Sequence, residues 1–92
     1  MEFITTSNHI YASDEAGNTI AEITFPLKYK GVVDIDHTFV DDSLRGQGVA
    51  GQLVEAAAQY LRANRLKAVV TCPYAKKWFE KHPEYEDILA DH

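Results

Sequence analysis

Between Val32 and Thr71 the hydrophobic period changes twice, and that switch limits the fold more than any other feature. Val33, Ile35, His37 and Phe39 alternate with Asp34, Asp36 and Thr38 along the run Val32–Val40, the period of two of a half-buried strand, which assigns His37 and Phe39 to the apolar face. From Val49 to Asn64 the period becomes helical. Ala50, Leu53, Val54, Ala57, Tyr60 and Leu61 share one stripe, with Gln52, Glu55, Gln59 and Arg62 opposite. Lys67–Thr71 is then a short apolar run after a tight turn at Asn64-Arg65-Leu66. Strand, helix and strand in this order form a crossover unit, so the last strand is expected parallel to the third.

The flanks complete the architecture. Ile10–Ser13 and Thr19–Phe25 read as a hairpin about the turn cluster Asp14–Asn18, and Pro26 with Lys28–Gly31 interrupts the chain before the third strand. Pro73 suits the first turn of a second helix, Tyr74–Lys81, which Pro83 ends. The expected class is α+β: a mostly antiparallel sheet with one parallel strand pair around the βαβ unit, and two helices. With 92 residues the chain reads as one domain, 1–92. Size scaling leaves roughly 5,400 Å² exposed of about 14,900 Å² in the unfolded chain, so about 64% is buried. That is one thin core under a single sheet, which excludes a cleft between two lobes.

Charge narrows the partners. Nine basic residues against fourteen acidic ones give a net charge of −5. Nucleic-acid binding runs on clustered Lys and Arg, whereas the densest group here, Lys76, Lys77 and Lys81, is interleaved with Glu80 and Glu84, so no nucleic-acid partner is expected. The single cysteine excludes an internal disulfide framework and a Cys-rich zinc site. His9, His82 and His92 lack partners at metal-ligand spacing, so no metal is expected. No apolar run approaches the ~20 residues of a membrane span, and the first residues show no signal-peptide pattern. A cytoplasmic protein without a membrane partner is the expectation.

The segment Leu44-Arg45-Gly46-Gln47-Gly48-Val49-Ala50-Gly51 joins the third strand to the first helix. Glycines allow close backbone approach, a helix start offers unpaired N–H groups at its positive end, and Arg45 adds a planar cation suited to phosphate. Read as Gly-x-Gly-x-x-Gly the loop matches a dinucleotide fingerprint, but the required acidic residue is missing where the next strand ends in Thr71-Cys72-Pro73, and there is no second mononucleotide half. A P-loop fails too, for no Gly-Lys-Ser/Thr occurs.

Arg45-x-x-Gly48-x-Ala50 resembles the acetyl-CoA signature of the GNAT superfamily of N-acetyltransferases, Gln/Arg-x-x-Gly-x-Gly/Ala. Ile35-Asp36-His37-Thr38-x-Val40, Cys72-Pro73-Tyr74 and His82-Pro83-Glu84-Tyr85 resemble the small single-domain branch of that superfamily, in order and spacing from Ile35 to Tyr85. The resemblance implies an acetyl-CoA-dependent N-acetyltransferase; the alternative is a CoA- or acyl-CoA-binding module without transfer. It implies that backbone N–H groups of Arg45, Gly46, Gln47, Gly48, Val49 and Ala50 hold the CoA pyrophosphate. The resemblance further implies a GNAT-like splayed parallel strand pair, with the pantetheine arm entering the gap beside Phe39 and Val40 and the thioester near His37 and Cys72. Larger members carry two further helices that shape an acceptor pocket, and this chain has a short turn in their place. The acceptor is therefore a small-molecule or protein amine reached through an open groove or a second copy of the chain, which is expected as a monomer or weak homodimer.

Acetyl transfer needs a base for the amine, donors for the developing oxyanion and a proton for the leaving thiolate. His37 is either that base or an inward histidine satisfied by a backbone carbonyl. Cys72, before Pro73 at a helix start, is either a nucleophile or a small buried hydrophobe. Tyr74 either protonates the leaving group or packs. Asp34, Asp36, Asp41 and Asp42 either attract a cationic amine or form a solvated acidic face. Trp78 and Phe79 read as core.

Overall fold

The computed structural model describes residues 2–90, so His92 lies outside the described residues. Seven strands and two helices follow one another: β1 (Ile4–Thr6), β2 (His9–Ser13), β3 (Thr19–Thr24), β4 (Leu27–Tyr29), β5 (Val32–Ile35), β6 (His37–Val40), α1 (Val49–Ala63), β7 (Lys67–Val70) and α2 (Pro73–Glu80). Short 3-10 turns occupy Asp42–Leu44 and Pro83–Ile88. The strands form two sheets, β1-β2-β3-β6, antiparallel throughout, and β4-β5-β7, in which β5 and β7 run parallel as the crossover unit requires.

The third strand of the sequence pattern is two strands. Its first half, β5, pairs with β7 in register Val33 to Ala68 and Ile35 to Val70, while its second half, β6, pairs with β3. Between the pair Leu27–Val33 and the pair Thr24–His37 one arm of the hairpin has two residues, 25 and 26, and the other has three, 34 to 36. This bulge slips the side-chain alternation by one position, because a strand's period is two. Val33 and Ile35 point inward, and beyond Asp36 the inward residues become Thr38 and Val40. The sequence pattern put His37 and Phe39 on the apolar face; both are instead exposed on the opposite side. Pro26, which has no N–H to give a ladder, marks the bend in the other arm.

The hairpin stays hydrogen-bonded through the bend, since Asp34 N–H donates to the Pro26 carbonyl (2.9 Å) and Asp36 N–H to the Thr24 carbonyl (3.3 Å). On the far side, Thr71 and Cys72 N–H both donate to the Ile35 carbonyl, at 3.0 and 3.1 Å. From there on β6 follows β3 while the chain after β7 turns into α2. The result is a V-shaped gap that opens at Asp36.

Both helices lie on one face. Ile10, Ile23, Phe25, Val33 and Ile35 from the sheets meet Leu53, Val54, Ala57 and Leu61 of α1 and Ala75, Trp78 and Phe79 of α2 in one buried cluster. A 15-residue helix is marginal alone, and burial at roughly 1.5–3 kcal/mol per large aliphatic side chain is what holds α1. Its C-terminus closes with Leu66 N–H to the Leu61 carbonyl (2.8 Å) and Arg65 N–H to the Arg62 carbonyl (3.2 Å), Arg65 taking the left-handed conformation usually left to glycine. Arg62 also reaches back from α1 to Asp87 (Nε to Oδ2, 3.0 Å) and to the Glu84 carbonyl (2.7 Å), tethering the last 3-10 turn. The second helix starts at Pro73, one residue before the position the sequence suggests, because proline's missing N–H costs nothing in a first turn.

Candidate active site

The glycine loop ends in the N-cap of α1. Gly46 and Gly48 have φ of 82° and 72°, a region that side chains with a Cβ rarely occupy, and a Cβ at either would meet nothing within 4 Å. The first bond into the helix is Gln52 N–H to the Gly48 carbonyl (3.1 Å), so the N–H groups of Val49, Ala50 and Gly51 have no partner inside the helix. A cleft of about 200 Å³ opens beside them, lined by Val40, Leu44, Arg45, Gly46, Gly48, Val49, Ala50 and Tyr74. Unpaired N–H donors, an open glycine backbone and Arg45 together form a donor set that fits a pyrophosphate.

Gly51 has a different part. A Cβ there would stand 3.4 Å from the Trp78 indole nitrogen and 3.5 Å from the Tyr74 hydroxyl, so its absence lets α1 and α2 approach and brings the Tyr74 hydroxyl over the first turn of α1. Of the residues the sequence proposed for the cofactor, Gln47 and Phe39 do not line the cleft. Phe39 stands on the helix-free face, 39% exposed.

Cys72 sits where the V opens. It is 5% exposed, and its Sγ lies 3.4 Å from the Thr38 Oγ1 across the gap. Thr38 had no signal in the sequence, since the simple alternation turned it toward solvent. The bulge at Asp36 brings it inward and against the cysteine.

The four aspartates near this strand end have local partners. Asp34 accepts from the Thr71 hydroxyl (2.8 Å) and Asp36 from the Thr24 hydroxyl (2.6 Å). Asp41 accepts from Ser43 N–H (3.0 Å) and the Ser43 hydroxyl (2.7 Å), which hold its carboxyl below the usual aspartate range. Asp42 pairs with Arg45 at 2.9 Å on the surface, so a phosphate at the loop would draw Arg45 from an exposed ion pair worth little.

His37 faces away from the cleft and toward Glu22, the residue that sequence reasoning passed over. Glu22 Oε1 is 2.8 Å from His9 Nε2, and its Oε2 is 3.7 Å from His37 Nε2. His9 also stacks on Tyr11 with ring centroids 4.8 Å apart. A glutamate on a half-exposed strand is ordinary in sequence; only strand register places it between two histidines. His82 is structural, with Nδ1 2.8 Å from the Trp78 carbonyl and its ring stacked on Trp78 at 3.9 Å.

Among the described residues no group of three His, Cys, Asp or Glu side chains could hold a metal ion, and no helix is long and apolar enough to cross a membrane. A larger hollow, about 360 Å³, lies between Val70, Phe79, Pro83 and Leu89 and shares no residue with the glycine-loop cleft.

Comparison with known proteins agrees with this geometry. A family profile described as GCN5-related N-acetyl-transferase matches residues 9–88. The NATD1 proteins of Gallus gallus and Mus musculus are each 41% identical over 54 residues, which cover 59% of this chain and 49% of theirs. The chain thus aligns with about half the length of these curated relatives. The solution structure of a GCN5-like protein from Staphylococcus aureus superposes with a TM-score of 0.79 at 38% identity, over 96% of this chain and 86% of that one. The GNAT family N-acetyltransferase YhbS from Escherichia coli, solved with CoA, superposes with a TM-score of 0.58 at 26% identity, over 67% of this chain and 38% of that one.

Proposed function

Since this chain belongs to the GCN5-related N-acetyltransferase family, we propose that it transfers an acetyl group from acetyl-CoA to an amine at the V-shaped gap. The observation that carries this reading is the position of the cleft: its floor is the free N–H array of the glycine loop, and its walls are Val40 of β6 and Tyr74 of α2, the two elements that diverge at the gap. The CoA complex of YhbS supports a donor built on CoA.

The loop from Arg45 to Ala50 binds the pyrophosphate, and the unpaired edge of β6 at Val40 takes the pantetheine amides. Bound there, the donor supplies an activated acyl carbon at the inner end of the gap. His37 Nε2 takes a proton from the acceptor ammonium. The freed nitrogen lone pair forms the N–C bond, the C–S bond breaks with its electron pair on sulfur, and the Tyr74 hydroxyl protonates that sulfur; the second amine proton returns to Tyr74 through solvent. Cys72 and Thr38 form the inner wall. At 5% exposure the Cys72 sulfur has little access to a thioester, which favours direct transfer over an acetyl-cysteine intermediate.

Titration calorimetry with acetyl-CoA, followed by an acceptor screen over polyamines, amino acids, antibiotics and basic peptides, tests the proposal. Binding with an acetylated amine product is expected. Binding without any product would leave a CoA-binding module, and no heat at millimolar acetyl-CoA would end both readings.

A further inference from the structure

The helix-free face of the four-stranded sheet carries an arrangement that donor binding does not use. Ile4, Tyr11, Glu22 and Phe39 form one row across β1, β2, β3 and β6, since Ile4 pairs with Tyr11, Tyr11 with Glu22 and Glu22 with Phe39. His9 and His37 stand in the next row, on either side of Thr24. Ile4 and Phe39 are 48% and 39% exposed, so the row is an open apolar strip interrupted by one carboxylate. The four strands contain no lysine or arginine.

We infer that this strip is the acceptor site and that it selects a primary alkylammonium on an aliphatic stem, with Glu22 holding the cation. The inference deepens the transferase reading and rests on it for the identity of the group transferred. Three observations carry it. First, the helix-free side of β6 is open: His37 and Phe39 are exposed there, whereas Cys72 and Ala75 on the inner side are buried, so an acceptor that meets His37 approaches from the helix-free side. Second, the carboxylate is held but not saturated. His9 engages Oε1 at 2.8 Å, while Oε2, 3.7 Å from His37 Nε2, keeps acceptor capacity directed toward the proposed base. An ammonium on Oε2 therefore lies beside the imidazole that is to deprotonate it. Third, Tyr11 and Phe39 flank Glu22 and offer ring surface to the methylenes of a stem, and with no fixed cation on these strands the local charge is complementary to an ammonium ion. The carboxylate that binds and the imidazole that deprotonates come from neighbouring strands, β3 and β6. Asp34 and Asp36 each accept one hydroxyl bond, from Thr71 and Thr24, as Glu22 engages His9; of the three carboxylates it is Glu22 whose second oxygen stands 3.7 Å from His37 Nε2, which makes it the anchor.

The same chemistry is offered by a free polyamine and by a lysine side chain of a protein. Two titrations followed by NMR on the isotope-labelled full chain separate them, one with spermidine and one with Nα-acetyl-lysine methylamide, both without acetyl-CoA. Chemical-shift changes centred on Tyr11, Glu22 and Phe39 are expected in at least one arm, and the tighter arm identifies the source. Glu22→Gln should weaken that binding at least tenfold, about the worth of one charge-assisted hydrogen bond. In turnover it should raise the KM for the amine by the same factor and leave the KM for acetyl-CoA within twofold. Phe39→Ala, a change at an exposed site, should flatten the preference for longer stems. Shifts centred elsewhere, or an amine affinity within twofold of wild type in Glu22→Gln, would overturn the inference. Since the amine arms omit acetyl-CoA, failure to bind that donor would sink the transferase reading separately.

Discussion

The two faces of the bent sheet solve opposite problems. On the helix side the proposed donor site is made of backbone: N–H groups released by the start of α1, glycines with positive φ, and a cleft walled by Tyr74, whose hydroxyl the missing Cβ of Gly51 lets approach α1. On the helix-free side the proposed acceptor site is made of side chains, His9, Glu22 and His37, whose neighbourhood depends on which residues of three strands lie opposite one another. A backbone site tolerates change in side chains and fails when the backbone is bent. A cross-strand site behaves in the reverse way.

That contrast can be broken in four places, starting where the effect should be largest. Replacing His37 with Gln removes the proposed base from the exposed face without touching the loop. Transfer should fall by roughly 10²–10⁴, while calorimetry should report an unchanged affinity for acetyl-CoA; a loss of donor binding would mean the faces are not separate. Gly48→Val should act the other way. At a φ of 72° a β-branched residue is strained, so acetyl-CoA affinity should drop on the order of 100-fold, and Glu22 and His9 resonances should stay in place. Retained affinity would show that the loop does not bind the pyrophosphate.

Cys72→Ser keeps the size of the side chain and a partner for Thr38, so turnover should stay within about threefold if transfer is direct. Intact mass after incubation with acetyl-CoA should show no stable acetyl adduct on the wild-type cysteine, and a kinetically competent adduct would replace direct transfer with a two-step route. The smallest effect belongs to Asp87→Asn, far from both faces. Hydrogen bonding to Arg62 lowers the Asp87 carboxyl below its usual value. A lowered folded-state value means that this stabilisation is complete above the ordinary aspartate range and is lost as the pH falls through the lowered value. The variant should therefore melt slightly lower at neutral pH and converge with wild type in acid, as thermal denaturation across pH would read; the pair is exposed and screened, so the shift is small.

How much of this was legible in the chain divides along the same line. The helix over Val49–Ala63, the parallel partner at Lys67–Val70, the start of α2 at Pro73 and the glycine loop all follow from local chemistry: period, proline and the need for positive φ. Two short strands, β1 and β4, were not legible, because three residues with exposed side chains carry no period of their own and are strands only by pairing. Phe39 and His37 were placed on the wrong face. A sequence pattern counts residues along one strand and has no access to the extra residue that accumulates between two.

The amino-acid sequence by itself determined the loop proposed for the donor, since a glycine loop feeding a helix start presents its N–H groups wherever it occurs. Only the tertiary structure decided the surface proposed for the acceptor. Whether Glu22 meets His37 as well as His9, and whether Thr38 rather than His37 faces Cys72, rests on a one-residue slip at Asp36. Because a strand alternates every residue, that slip reverses every side chain beyond it.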